Sequence, residues 1–183
     1  MRKRVLAVAS VVAVLSVLAA VFVVNFAKAD DLLRTDVGRR DVPVYKNGNS
    51  AAGEINVRVY ASQFDRDGDG DTLVDHQRAV ARVYKIRGAY RVQINTVRLQ
   101  RLTDTGWETL KSAGPVNSGA ASNVVAYTDP PTYFRCNSST IYRVQVIGLV
   151  RWGSAGGQLN SFNVLSNRWI NTDADSSCEP LEV

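Results

Sequence analysis

The densest chemistry in this chain lies between Phe64 and His76. There FDRDGDGDTLVDH places aspartates at 65, 67, 69, 71 and 75, with glycines at 68 and 70. Carboxylates at alternate positions of a tight turn converge on one point, and a hard cation such as Ca²⁺ takes about six to eight oxygens at roughly 2.3–2.6 Å. Each pair of carboxylates about 6 Å apart repels by roughly 0.7 kcal/mol even in water, a penalty that a bound cation reverses. Two ligand frames fit. In one, Asp65, Asp67, Asp69 and Gly70 take the first, third, fifth and sixth places of a loop whose last place, normally a bidentate glutamate, falls on His76. In the other, Asp67, Asp69, Gly70, Asp71 and Asp75 read DxDGDxxxD, with Asp65 as an outer carboxylate. The preceding INVRVYASQF is strand-like rather than helical, which favours the second frame. A solvated turn is the competing reading, because aspartate and glycine are good turn formers. A structural calcium site at these five aspartates is the expectation, and Asp67 and Asp69 serve in both frames.

The compartment bears on that expectation. Arg2, Lys3 and Arg4 precede a stretch from Val5 to Val24 that carries no charge, and Ala27-Lys28-Ala29 offers a small-x-small cleavage pattern. Residues 1–29 therefore read as a signal peptide that leaves Asp30 first. The apolar run is long enough, at about 1.5 Å per residue, to serve instead as an uncleaved helical anchor through residues 5–24. Both readings put the rest of the chain outside the cell, where calcium is abundant enough for a site with a dissociation constant of about 0.1–1 mM.

Of the 22 basic residues, Arg2, Lys3, Arg4 and Lys28 lie in residues 1–29, and none of the 17 acidic ones does. The exported part thus carries 18 positive against 17 negative charges, a net +1. That balance argues against long-range steering towards nucleic acid. Cys136 and Cys178 both fall in the exported part. An even count in an oxidising compartment predicts one disulfide, worth about 4 kcal/mol on the chain-entropy model. With no CxxC and no nearby histidine, a thiolate metal site is the weaker reading.

The elements that must position these groups read as strands. Ile55, Val57 and Val59 alternate with polar residues, as do Tyr90, Val92 and Ile94, and Tyr142, Val144 and Val146. Such period-two patterns of β-branched and aromatic residues mark half-buried strands. Phase slips at Thr96-Val97 and Val146-Ile147 predict bulges. Asn47-Gly48, Arg87-Gly88, Asp104-Thr105-Gly106 and Gly156-Gly157 predict turns. Residues 30–41 read as a charged linker, and Gln77 to Tyr84 is ambiguous between strand and short helix. The expected architecture is one all-β domain over residues 42–183, an antiparallel β-sandwich preceded by an N-terminal hydrophobic helix.

Two runs sharpen this. TVRLQRLTDTGWETL (Thr96 to Leu110) is a hairpin anchored by Leu99, Leu102, Trp107 and Leu110, and CNSSTIYRVQVIGLV (Cys136 to Val150) leads a polar turn into a long strand. Over residues 79–152 the pattern resembles bacterial secreted immunoglobulin-like or fibronectin-like modules. The resemblance implies a sandwich with an adhesive, accessory or ligand-binding role. The cysteines depart from the antibody type, since they are not placed to bridge two sheets around a tryptophan. The first frame of the acidic loop resembles the DxDxDG loop of EF-hands, and the second resembles the calcium loop joining two strands in integrin-type repeats.

Other residues suggest further sites. Arg78, Arg82, Lys85, Arg87, Arg91, Arg98 and Arg101 run from His76 to Thr103 with no acidic residue among them. They read either as the solvated face of amphipathic strands or as a basic face for an anionic polymer. Trp107, Trp152 and Trp169 read as core anchors or as a stacking platform for sugars. His76 is the single histidine, so a histidine-based triad would have to use it. GxSxG, HExxH, SxxK and P-loop patterns are absent. The expectation is a non-enzymatic interaction or structural module of the cell envelope or extracellular space, its partner an envelope polysaccharide or another extracellular protein. A carbohydrate- or polyanion-binding module is the alternative, and a small hydrolase built on His76 the weakest reading.

Overall fold

The structure, a computed structural model, describes residues 32–65, 74, 76–119, 122–129, 131–133 and 140–171. Residues 1–29, and with them the expected N-terminal helix, lie outside that set. Among the described residues there are eleven strands and no helix. They form two antiparallel sheets. The first runs β1 (Leu32–Lys46), β2 (Asn49–Asp65), β3 (His76–Arg87) and β7 (Val124–Tyr127), with β8 (Thr132–Tyr133) also pairing with β3. The second runs β10 (Leu159–Leu165), β9 (Ile141–Trp152), β4 (Ala89–Thr103) and β5 (Gly106–Ala113). Beside it, β11 (Trp169–Ile170) pairs with β9 and β6 (Val116–Asn117) with β4. One cluster of buried side chains draws on both sheets. Ile55, Val57 and Val83 come from the first, and Val92, Ile94, Leu99, Val144 and Trp152 from the second.

Alternation accounts for most of these strands. β9 alternates half-buried and buried residues along its whole length, without the slip expected at Val146-Ile147. Its inward series is Tyr142, Val144, Val146, Gly148 and Val150, and the glycine disguises the period. A side chain at Gly148 would collide with the Phe162 ring and the Gln93 carbonyl. Phe162, directly opposite on β10, fills that inward slot. The slip expected near Thr96 does occur, as a register shift between Ile94 and Thr96 in the β4–β9 pairing. Each expected turn falls between strands. At the β1–β2 hairpin Asn47 and Gly48 both have positive φ, as a two-residue connection matched to strand twist requires.

One expectation is corrected and one ambiguity resolved. Residues 32–41 are not a linker but the first part of β1, with Thr35, Asp36 and Val37 opposite Gln63, Ser62 and Ala61. The period is hidden by register shifts on either side of Val37 and by Gly38, which has a φ of 64°. Gly38 also has no room for a side chain, because the Trp169 ring lies against it. The charges of Arg39, Arg40 and Asp41 suit an edge strand, where they discourage pairing with another chain. Gln77 to Tyr84 is strand, not helix. Gln77, Ala79, Ala81 and Val83 face the core, and Arg78, Arg82 and Tyr84 face out, because β3 runs between β2 and β7.

The inner strands outlast their neighbours, and one device satisfies their backbone where an edge strand ends. Thr128, just past β7, donates its N–H to the Ala79 carbonyl, and its hydroxyl accepts the Ala79 N–H at 3.1 Å. Ser118, past β6, does the same for Val92 on β4, and Ser166, past β10, for Val144 on β9. All three hydroxyl residues are buried. At the outer edge, Asp41 pins β1 to β2 by accepting from Arg58 Nε at 2.8 Å, while Arg39 lies 3.2 Å away. The hydrogen bond from Arg58 holds the Asp41 carboxyl below the usual carboxylate range.

Replacing Thr128 by valine keeps the shape and strands the buried Ala79 N–H. Chemical denaturation of T128V should show a loss of about 1–3 kcal/mol, restored in T128S; unchanged stability in T128V would dismiss the clamp. The Asp41 contribution has a definite sign. A folded-state pKa below the unfolded value of about 3.9 gives stability that is present above that value and is lost as pH falls through the folded one. Because the pair is partly exposed, D41N should cost less than about 1 kcal/mol at neutral pH. The gap between D41N and the parent should close below about pH 4; a gap independent of pH would assign it to something other than this carboxylate.

Candidate functional site

The acidic run begins where β2 ends. Phe64 pairs with His76, so the two strands deliver the ends of residues 66–75 side by side. Asp65 closes β2 and is half-buried. Val74 is buried in the shared core, which draws the end of the loop inward. Asp67, Asp69, Asp71 and Asp75 lie outside the described residues, as do Cys136 and Cys178. The flanks are nonetheless informative. An EF-hand loop joins two helices, whereas this one joins adjacent antiparallel strands. Among the described residues, no group of three or more histidine, cysteine, aspartate or glutamate side chains comes together. His76 itself sits in β3, opposite Phe64 on one side and Tyr133 on the other.

The basic run of residues 78–101 is divided between surfaces. Arg78 and Arg82 project from the outer face of the first sheet and lie over aromatic rings. Arg78 covers Phe64 at 4.8 Å and Tyr127 at 4.7 Å, and Arg82 covers Tyr60 at 5.8 Å. These stacks, worth roughly 0.5–2 kcal/mol each, help explain how Tyr60 and Phe64 are buried on a face that points away from the core. Burial pushes the Tyr60 hydroxyl pKa up. Lys85 Nζ donates to the carbonyls of Gly119 and Tyr90 at 2.8 and 3.0 Å, and burial lowers its pKa with help from nearby Arg91. Arg87 reaches the Ser50 carbonyl and Glu54, and Arg101 pairs with Glu108 at 2.6 Å. These arginines and the lysine serve the fold.

Arg91 and Arg98 differ. Both lie on the outer face of the second sheet, although seven residues apart, because the shift at Asn95 restores their common phase. β9 adds Arg143 and Arg151 to the same face, opposite Gln100 and Arg91. Strands β4, β9 and β10 contain no acidic residue. At one end Arg143 lies 3.8 Å from the Trp107 ring centre and Arg168 lies 5.4 Å from it. Burial lowers the Arg143 pKa, and Arg168 adds to the shift. At the other end Arg91, Gln93, Leu149, Arg151 and Leu159 line a cavity of about 150 Å³. Reading the sequence one segment at a time missed Arg143 and Arg151. The alternation of β9, which puts both on the polar side, was the available signal.

The tryptophans do not form a stacking platform. Trp152 is buried, with its Nε1 donating to Asn160 Oδ1 at 2.8 Å, and Trp169 is buried against Tyr142 at 6.0 Å between ring centres. Trp107 is covered by the guanidinium groups of Arg143 and Arg168. Comparison of the chain with protein-family models, curated proteins and solved structures finds no match.

Proposed function

We propose that this chain is an exported β-sandwich of the immunoglobulin or fibronectin type, acting as a non-enzymatic interaction or structural module of the cell envelope or extracellular space. The observation that carries the reading is the strand order. β2-β3-β7 beside β5-β4-β9-β10 corresponds to A-B-E beside C′-C-F-G, the immunoglobulin arrangement without its D strand. The three connections expected to cross between sheets do so, β3 to β4 for B to C, β5 and β6 to β7 for C′ to E, and β7 to β9 for E to F. β1 is then an addition outside strand A, and the core shared by both sheets supports a sandwich. Export rests on the basic flank, apolar run and Ala27-Lys28-Ala29, and the Cys136–Cys178 disulfide rests on that compartment.

The acidic loop is proposed to hold structural calcium through Asp67, Asp69, Asp71 and Asp75, with Asp65 at its edge. The strand-to-strand connection supports the DxDGDxxxD frame.

Fractionation of cells making the full chain checks export. The protein should appear outside the cytoplasm, beginning at Asp30 if cleaved or at Met1 if anchored, with its thiols blocked to alkylation until reduced. A cytoplasmic chain with two reactive thiols would sink the proposal. For the loop, calcium at about a hundred times its dissociation constant stabilises by about 2.7 kcal/mol. That should raise the melting temperature by roughly 5–10 °C over chelator. Asp67→Ala/Asp69→Ala should remove the rise, and equal melting in all three conditions would leave the loop as a solvated turn.

A further inference from the structure

Arg91 and Arg151 face each other directly across the β4–β9 pairing, and like charges placed so destabilise a sheet. Among the described residues no acidic side chain offsets them: β4, β9 and β10 carry none, and neither arginine forms a salt bridge. Arg151 gives one hydrogen bond, from Nη1 to the Gly157 carbonyl at 3.1 Å, which steadies its guanidinium and leaves its other donors available. Both arginines line the cavity of about 150 Å³, together with Gln93, Leu149 and Leu159. A space of that size takes about one six-membered ring. Two guanidinium forks beside two leucine side chains match a ring that bears a planar or tetrahedral anionic group, because such forks pair bidentately with those oxygens.

We propose that this cavity binds one acidic sugar ring, carboxylated or sulfated, of an anionic polysaccharide. The polymer would continue along the same face towards Arg98 and Arg143. Arg143 stands eight residues from Arg151, roughly 27 Å along the strand. A nucleobase is the poorer occupant, since no aromatic side chain lines the cavity for it to stack upon. The inference rests on the proposed reading of the chain as a binding module. It fails separately, because the export assay does not depend on Arg91 or Arg151.

Calorimetric titration of the full chain tests the proposal with polygalacturonate, dextran sulfate, neutral dextran and a single-stranded oligodeoxynucleotide. Polygalacturonate or dextran sulfate should bind, and whichever binds more tightly identifies the carboxylate or the sulfate as the acidic group. Neutral dextran should not bind, and the oligonucleotide should bind at least tenfold more weakly. Arg91→Gln and Arg151→Gln should each weaken binding by roughly tenfold or more. Arg101→Gln, whose charge is already paired with Glu108, should leave binding unchanged. Arg91→Gln should melt at or above the parent temperature, because it removes a like-charge repulsion and breaks no hydrogen bond among the described residues, so its lost binding is not lost folding. Equal binding of the oligonucleotide, unchanged affinity in R91Q/R151Q, or no binding of either acidic polymer would each overturn the proposal.

Discussion

A strand in the middle of a sheet must hydrogen-bond along both edges, and wherever its neighbour ends some other group must supply the partner. That constraint organises this molecule. β2, β3, β4 and β9 are its inner strands, and along one edge β3, β4 and β9 are each served by two short strands in succession: β7 and β8, β5 and β6, β10 and β11. Where β7, β6 and β10 end, a buried hydroxyl residue, Thr128, Ser118 or Ser166 respectively, gives its N–H and receives one through its side chain. A hydroxyl can do this because it accepts while its own backbone donates. The chain is then free to leave the sheet, and the crossing connections between sheets depend on that freedom.

The second constraint is volume. The large rings of the core lie where strands give up their side chains, Phe162 against Gly148 and Trp169 against Gly38. These pairs also explain what a reading of the sequence catches and what it misses. Regular alternation over residues 55–59 of β2, 92–94 of β4 and 142–146 of β9 was legible because every inward position in those runs carries an apolar residue. A glycine in an inward slot looks like a phase slip, as at Gly148. A glycine within an edge strand rich in charge looks like the end of order, as at Gly38. β3 was obscured for another reason. Its inward residues include Gln77 and two alanines, which carry little hydrophobic contrast, while its outward residues gain their shelter from arginines stacked on rings. Sheet pairing, not local pattern, makes it a strand.

The charged residues teach the same lesson at the level of the site. Arg78 to Arg101 form one block in the sequence, yet only Arg91 and Arg98 reach the outer face of the second sheet. The others are spent on rings, backbone carbonyls and carboxylates. The residues that complete that face, Arg143 and Arg151, come from a strand about fifty residues later that pairs in register with β4. Spatial charge density is a property of register, and register is not written in any single segment. The acidic loop is the opposite case, since its ligands are consecutive in sequence and its chemistry is local.

The two proposed sites should act independently. The acidic loop leaves one end of β3 at His76, whereas the cavity begins just beyond the other end, after the turn at Gly88. β3 is 12 residues long, so about 35–40 Å of extended strand separates them. They also sit on different sheets. Charges that far apart are screened over a Debye length of about 8 Å at physiological ionic strength. A cation in the loop therefore adds little to the potential felt by an anion between Arg91 and Arg151. What remains is coupling through folding: a cation bound to the folded loop raises the population of folded molecules, and every folded molecule presents the same cavity. Calcium would then set how much of the protein is competent and for how long. Affinity for the anionic polymer would be set by the two opposed arginines, whose mutual repulsion the ligand relieves.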